Sequence, residues 1–104
     1  MAEINEVVFL AAARTAIGGF GGSLKDMPPA DLGAQVVAEV VRRAGVDAAE
    51  VDSCIVGNVV RTEPRDAYLS RLIGLNGGLD KSSQALTVNR LCGSGLEAIV
   101  LAAQ

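Results

Sequence analysis

Three short aliphatic runs punctuate the chain, at residues 7–13, 55–60 and 85–89, and each leads into a segment with helical spacing. Runs of this length without polar alternation are typical of strands covered on both faces, because a half-exposed strand alternates apolar with polar residues. Parallel strands need long crossovers, usually helices, to join them. The order βαβαβα therefore predicts a layered α/β fold in which helices cover the sheet. Half of the 104 residues are apolar, yet only Phe9, Phe20 and Tyr68 are aromatic, so the core must be built from Val, Leu, Ile and Ala. A chain of this length suits one small unit and no more.

Local signals place the helices. Pro28-Pro29 opens the first one, with Asp31 near its positive end, and Arg42-Arg43 and Gly45 mark its last turn and cap. Leu32, Val36, Val37, Val40 and Val41 fall on one face of it. Asp47-Ala48-Ala49-Glu50 has the form of a capping box on a short turn. A second helix is expected over 66–75, with the apolar stripe Leu69, Leu72 and Ile73, and Asn76-Gly77-Gly78 stops it. A third begins near Glu97 and is still apolar at Gln104 with no capping signal, which predicts a chain cut within a helix. The whole of 1–104 thus reads as one incomplete domain.

Between the third aliphatic run and the third helix lies Leu91-Cys92-Gly93-Ser94-Gly95-Leu96. Strand, tight glycine turn and helix in that order put Cys92 at or just before a helix N-terminus. Unpaired N–H groups and the helix dipole favour negative charge there, and a thiolate is the form of cysteine that attacks carbonyls. Gly93 and Gly95 keep side chains away from the sulfur. The pattern marks Cys92 as a candidate nucleophile for acyl transfer. The alternative is a packed thiol, since free cysteine is among the most buried residue types.

Other chemistries find less support. Gly18-Gly19-Phe20-Gly21-Gly22-Ser23 resembles a phosphate-binding loop only superficially: the third glycine of G-x-G-x-x-G falls on Leu24, and no Gly-Lys-Ser/Thr follows. A net charge of −3 with no basic run argues against nucleic acid. The arginines at 42, 43, 61, 65, 71 and 90 are dispersed, solvated or paired, or else form a basic rim for an anionic ligand. No apolar run approaches the roughly 20 residues of a membrane span, and no signal peptide is evident, so a cytoplasmic protein away from membranes is expected. Cys54 and Cys92 are the two cysteines, and the chain has no histidine and no C-x-x-C, so no metal site is expected. A reducing compartment disfavours a disulfide between them. Cys54 opens an apolar run and reads as a core thiol.

Residues 85–99, from Ala85-Leu86-Thr87-Val88-Asn89 through Leu91-Cys92-Gly93-Ser94-Gly95, resemble the active-site segment of the thiolases. Three further stretches are similar to the same family in the same order: residues 12–24, with Arg14-Thr15-Ala16-Ile17-Gly18, then Asp31-Leu32-Gly33-Ala34, then Val56-Gly57-Asn58-Val59. The resemblance covers residue 7 to the end. Ala16 stands where many members have proline, and Thr62-Glu63-Pro64-Arg65-Asp66-Ala67-Tyr68 replaces a glutamine-rich segment. That substitution is similar to a bacterial 3-ketothiolase branch accepting acyl chains longer than acetoacetyl.

The resemblance implies an acetyl-CoA acyltransferase that cleaves or forms 3-ketoacyl-CoA, with Cys92 carrying the acyl group and coenzyme A as substrate rather than resident cofactor. The Cys92 backbone N–H becomes a candidate donor to a developing oxyanion. It implies a general base and a second acid/base outside these residues, because the chain has no histidine and Cys54 lies outside any matching glycine-rich motif. The expected partners are acetyl-CoA, 3-ketoacyl-CoA, the remainder of a thiolase chain, and further copies in a homodimer or homotetramer, with residues 85–89 pairing across the dimer and Asn89-Arg90 reaching over. The 104 residues alone are expected to be inactive. A related condensing enzyme, such as a ketoacyl synthase, and a non-catalytic α/β interaction module are the alternatives.

Overall fold

The computed structural model describes residues 5–104. Helix α1, Pro29–Ala44, starts where Pro29 occupies the first turn after an extended Pro28, and ends where the Gly45 N–H donates to the carbonyls of Arg42 and Val41. Strand β1, Ser53–Gly57, follows a short 3-10 turn at Ala48–Glu50, whose first N–H groups are met by Asp47 accepting from the Ala49 N–H at 3.0 Å. A second 3-10 turn, Pro64–Tyr68, leads into α2, Leu69–Asn76. Strand β2, Gln84–Val88, and helix α3, Ser94–Ala103, complete the order.

The expected α/β class is observed: β1 and β2 pair in parallel, Ser53 opposite Gln84 through Gly57 opposite Val88, with α2 as the crossover between them. α1 and α2 pack on each other, and α2 also lies against both strands, while α3 packs on β1. The core holds Ala30, Cys54, Leu69, Ile73 and Leu79, with Val37, Val41, Val51, Val56 and Leu72 partly buried around it. Each fully buried Leu or Ile contributes about 1.5–3 kcal/mol. Gly33 makes the α1–α2 crossing possible, because a Cβ there would stand 2.7 Å from Ile73 Cγ1. Hydroxyls fix α2 on β2: Thr87 Oγ1 accepts from the Ser70 N–H at 3.1 Å and donates to Ser70 Oγ at 2.9 Å.

The expected first strand is not formed. Residues 7–13 belong to no ladder, and Val7, Val8, Phe9 and Leu10 are exposed. An aliphatic run becomes a strand only when a neighbour takes up its N–H and C=O groups, and no strand of the described residues lies alongside this one. Its visible anchor is the Ala12 carbonyl, which accepts from Arg43 Nη1 at 2.7 Å. The described sheet thus has two strands rather than three. The second helix also starts later than 66, because Asp66 is spent on closing the preceding turn. No helix among the described residues is long and apolar enough to cross a membrane.

Candidate active site

Both strands run in the same direction, so their carboxyl ends open on one edge of the sheet, the edge where open α/β folds place ligands. The Asn58 N–H donates to the Val88 carbonyl at 2.9 Å and closes the ladder there. Beyond Val88 the chain turns through five residues before α3 begins. Asn89 Oδ1 accepts from the Leu91 N–H at 3.0 Å, the Gly93 N–H donates to Arg90 O at 3.1 Å, and the Ser94 N–H donates to Leu91 O at 3.1 Å. Leu91 carries φ of 49°, the only non-glycine residue in the left-handed region among those described. That conformation costs an L-residue roughly 1–2 kcal/mol, so the surrounding bonds must hold it.

Cys92 sits at the apex of this turn, exposed, with Gly93 as the N-cap of α3 and Ser94 as its first residue. It therefore lies just before the helix N-terminus, as its spacing predicts, and is exposed among the described residues. Among the described residues, none of the turn's hydrogen bonds uses the Cys92 N–H. α3 reaches this position by resting on β1 without a side chain between them: a Cβ on Gly57 would stand 2.7 Å from the Ser94 carbonyl carbon and oxygen.

Cys54 is not brought to this edge. It is buried against Gly74 and Leu79, and burial pushes its thiol up from the ordinary value. Cys54 lies three residues before the end of β1, roughly 10 Å along the strand from its carboxyl end. Both cysteines are free thiols.

Next to the Cys92 turn is a polar cavity of about 120 Å³, lined by Asn58, Arg61, Asp66, Thr87 and Asn89 among others. Asp66 is 1% exposed. Its Oδ2 accepts from the Thr62 N–H at 2.7 Å, the Thr62 hydroxyl at 2.8 Å and the Glu63 N–H at 3.2 Å, while Oδ1 is buried without a partner. The bonds from Thr62 hold the Asp66 carboxyl below the usual carboxylate range. Sequence reading missed this residue by placing it at the start of a helix. The signal was present: Glu63 and Asp66 stand at capping-box spacing with Pro64 between them.

The arginines form no continuous rim. Arg42 and Arg43 both converge on Glu39 at 2.6 Å, and the bonds from Arg42, then Arg43, lower the Glu39 carboxyl to about 2. Arg65 pairs with Glu63, and Arg71 donates to the carbonyls of Ser83 and Lys81. Residues 18–23 form exposed turns, with the Gly22 N–H donating to Gly19 O at 2.9 Å.

Cys92 is thus an exposed thiol before a helix N-terminus, at the carboxyl ends of parallel strands. Residues 7–104 match the thiolase N-terminal domain. The chain belongs to the thiolase family. Among its relatives, the beta-ketothiolase BktB of Cupriavidus necator is 60% identical over 96% of this chain and 25% of its own length. A probable acetyl-CoA acyltransferase of Staphylococcus aureus is 42% identical over 97% of this chain. Human mitochondrial 3-ketoacyl-CoA thiolase, solved in complex with CoA, superposes with a TM-score of 0.88 at 42% identity, over 91% of this chain and 24% of that one. The acetyl-CoA acetyltransferase of Syntrophomonas wolfei gives the same TM-score at 36% identity, over 98% of this chain and 26% of that one. The chain thus spans about a quarter of the length of the thiolases it matches.

Proposed function

We propose that this chain supplies the nucleophile segment of an acetyl-CoA C-acyltransferase that interconverts 3-ketoacyl-CoA plus CoA with acetyl-CoA plus a shortened acyl-CoA. The observation that carries the reading is the exposed Cys92 at the N-terminal mouth of α3 in a thiolase N-terminal domain. The Cys92 thiolate attacks the keto carbon, and the C–C bond to the α-carbon breaks. Its electron pair leaves as the enolate of acetyl-CoA, which takes up a proton, and the acyl group remains on Cys92. A CoA thiolate then attacks the acyl-cysteine and releases the Cys92 sulfur. Splitting the reaction at a covalent intermediate replaces one hard step by two easier ones.

The Cys92 N–H is our candidate donor to the oxyanion that develops in either step, and losing one such donor typically costs about a hundred- to a thousandfold in rate. The base that takes the thiol proton lies outside these residues, for the chain has no histidine. Buried Cys54, with its thiol raised, is unsuited to be the second acid/base. We therefore expect the 104-residue chain to be inactive by itself and the longer polypeptide to be the enzyme. A second copy is proposed to pair along the open edge of β2, giving a dimer or a dimer of dimers. The deciding experiment is Cys92→Ala in the full-length protein, with thiolysis of acetoacetyl-CoA measured and acyl adducts mapped by peptide mass. We expect loss of turnover and, in the parent protein, an acyl mass on the Cys92 peptide. Undiminished thiolysis by the variant would falsify the reading.

A further inference from the structure

Two side chains tie the turn that presents Cys92: Asn89 Oδ1 accepts from the Leu91 N–H, and Ser94 bonds twice across it. Ser94, the first residue of α3, is 4% exposed, yet its hydroxyl does not cap its own helix; the N-cap Gly93 has no side chain to offer. The hydroxyl instead reaches back into the turn, accepting from the Arg90 N–H at 2.7 Å and donating to the Leu91 carbonyl at 2.7 Å. It thereby ties the peptide before Arg90 to the peptide after Leu91, bracketing the two α-carbons between them, and Leu91 is the residue held in the left-handed region. Cys92 follows directly. The backbone dihedrals of Leu91 decide where the Cys92 N–H and sulfur point, so whatever fixes Leu91 aims the nucleophile.

We propose that Ser94 is a positioning residue for Cys92: its hydroxyl holds Leu91 in the left-handed conformation and so keeps the Cys92 thiol and N–H at the mouth of α3. The proposal rests on the acyl-cysteine reading above. Ser94 itself touches no reacting atom. Its burial calls for a small side chain, but an alanine would satisfy that need equally well. What alanine lacks is the clamp. Without it, Leu91 relaxes toward negative φ and the peptide before Cys92 rotates.

The test uses the full-length protein and the variants Ser94→Ala, Leu91→Val, Ser94→Ala with Leu91→Gly, and Cys92→Ala. Readouts are kcat and KM for acetoacetyl-CoA thiolysis, the iodoacetamide alkylation rate of Cys92 at neutral pH by peptide mass, and Tm. Ser94→Ala should lower kcat about tenfold or more with KM within about twofold, since misplacing a nucleophile costs rate rather than binding. Cys92 alkylation should slow severalfold. Adding Leu91→Gly, which occupies positive φ without penalty, should restore part of both. Leu91→Val, at an exposed position with a β-branched side chain that resists positive φ, should reproduce the Ser94→Ala defect without removing any hydrogen bond, and keeps the test valid if Ser94→Ala does not fold. Wild-type kcat and alkylation in folded Ser94→Ala, or in Leu91→Val, overturn the proposal. So does a Ser94→Ala defect that tracks Tm alone and gains nothing from Leu91→Gly. Turnover by Cys92→Ala would instead sink the acyl-cysteine reading, and the alkylation results would still decide the role of Ser94.

Discussion

Asp66 keeps a charge in a position that is 1% exposed because Thr62 and the Glu63 N–H donate three hydrogen bonds to one of its oxygens. Those bonds favour the ionised form, so the folded-state carboxyl titrates below its unfolded counterpart. A depressed carboxyl contributes stability that is complete above the unfolded value and is lost as pH falls through the folded one. Denaturation midpoints measured from neutral pH down to the acid range should therefore fall on the acid side. In Asp66→Asn the midpoint should be lower at neutral pH, with a Tm drop of several degrees, and should lose less of itself on acidification. An Asp66→Asn variant whose acid profile parallels the parent would mean that Asp66 does not carry this dependence. The place of Cys92 just before α3 was legible from its neighbours in sequence. Asp66 was harder to find, because its role depends on a turn that closes only when the carboxylate accepts from residues three and four positions earlier.

At the scale of elements, the contact of α3 with β1 sets the position of the Cys92 turn. Gly57 is the point of contact, and what a Cβ would meet there is the backbone of Ser94 and Gly95, which cannot rotate away. Gly33 has a similar conflict, but with the Ile73 side chain, which has other rotamers. Gly57→Ala should thus destabilise by about 1–3 kcal/mol, the usual cost of overpacking, and reduce thiolysis by the full-length protein. Gly33→Ala should cost less, since alanine also recovers about 1 kcal/mol of helix propensity. Denaturant midpoints and kcat for both variants check the order; equal effects would mean α3 shifts freely on the sheet. The same contrast explains which elements could be read in advance. The limits of α1 follow from Pro29 and Gly45, whose effects are local, and β2 was placed to within one residue. Residues 7–13 have the composition of a strand, but pairing is a property of neighbours, and composition cannot supply one.

The whole molecule exposes more apolar surface than its small core can answer for. Phe9 is 83% exposed, and Val7, Val8 and Leu10 lie beside it in an unpaired segment, while Leu86 on β2 is 48% exposed. Among the described residues β2 pairs with β1 on one side only, so its other edge presents N–H and C=O groups without a strand partner there, next to aliphatic side chains. Such an edge is a template for another strand, and an apolar patch of this kind marks an interaction surface. The 104-residue chain alone should accordingly self-associate, with sedimentation coefficients that rise with concentration in the micromolar range. Leu86→Lys places a charge on the open edge without touching the β1–β2 register, and should shift the distribution toward monomer. If the full-length protein pairs through this edge, as proposed, the same substitution should weaken that association. A fragment that stays monomeric throughout, or a Leu86→Lys variant that associates as strongly as the parent, would move the association surface away from β2. The exposed segment at residues 7–13 would then be the next surface to mutate. The two surfaces can be separated because a charge at Leu86 acts on only one of them.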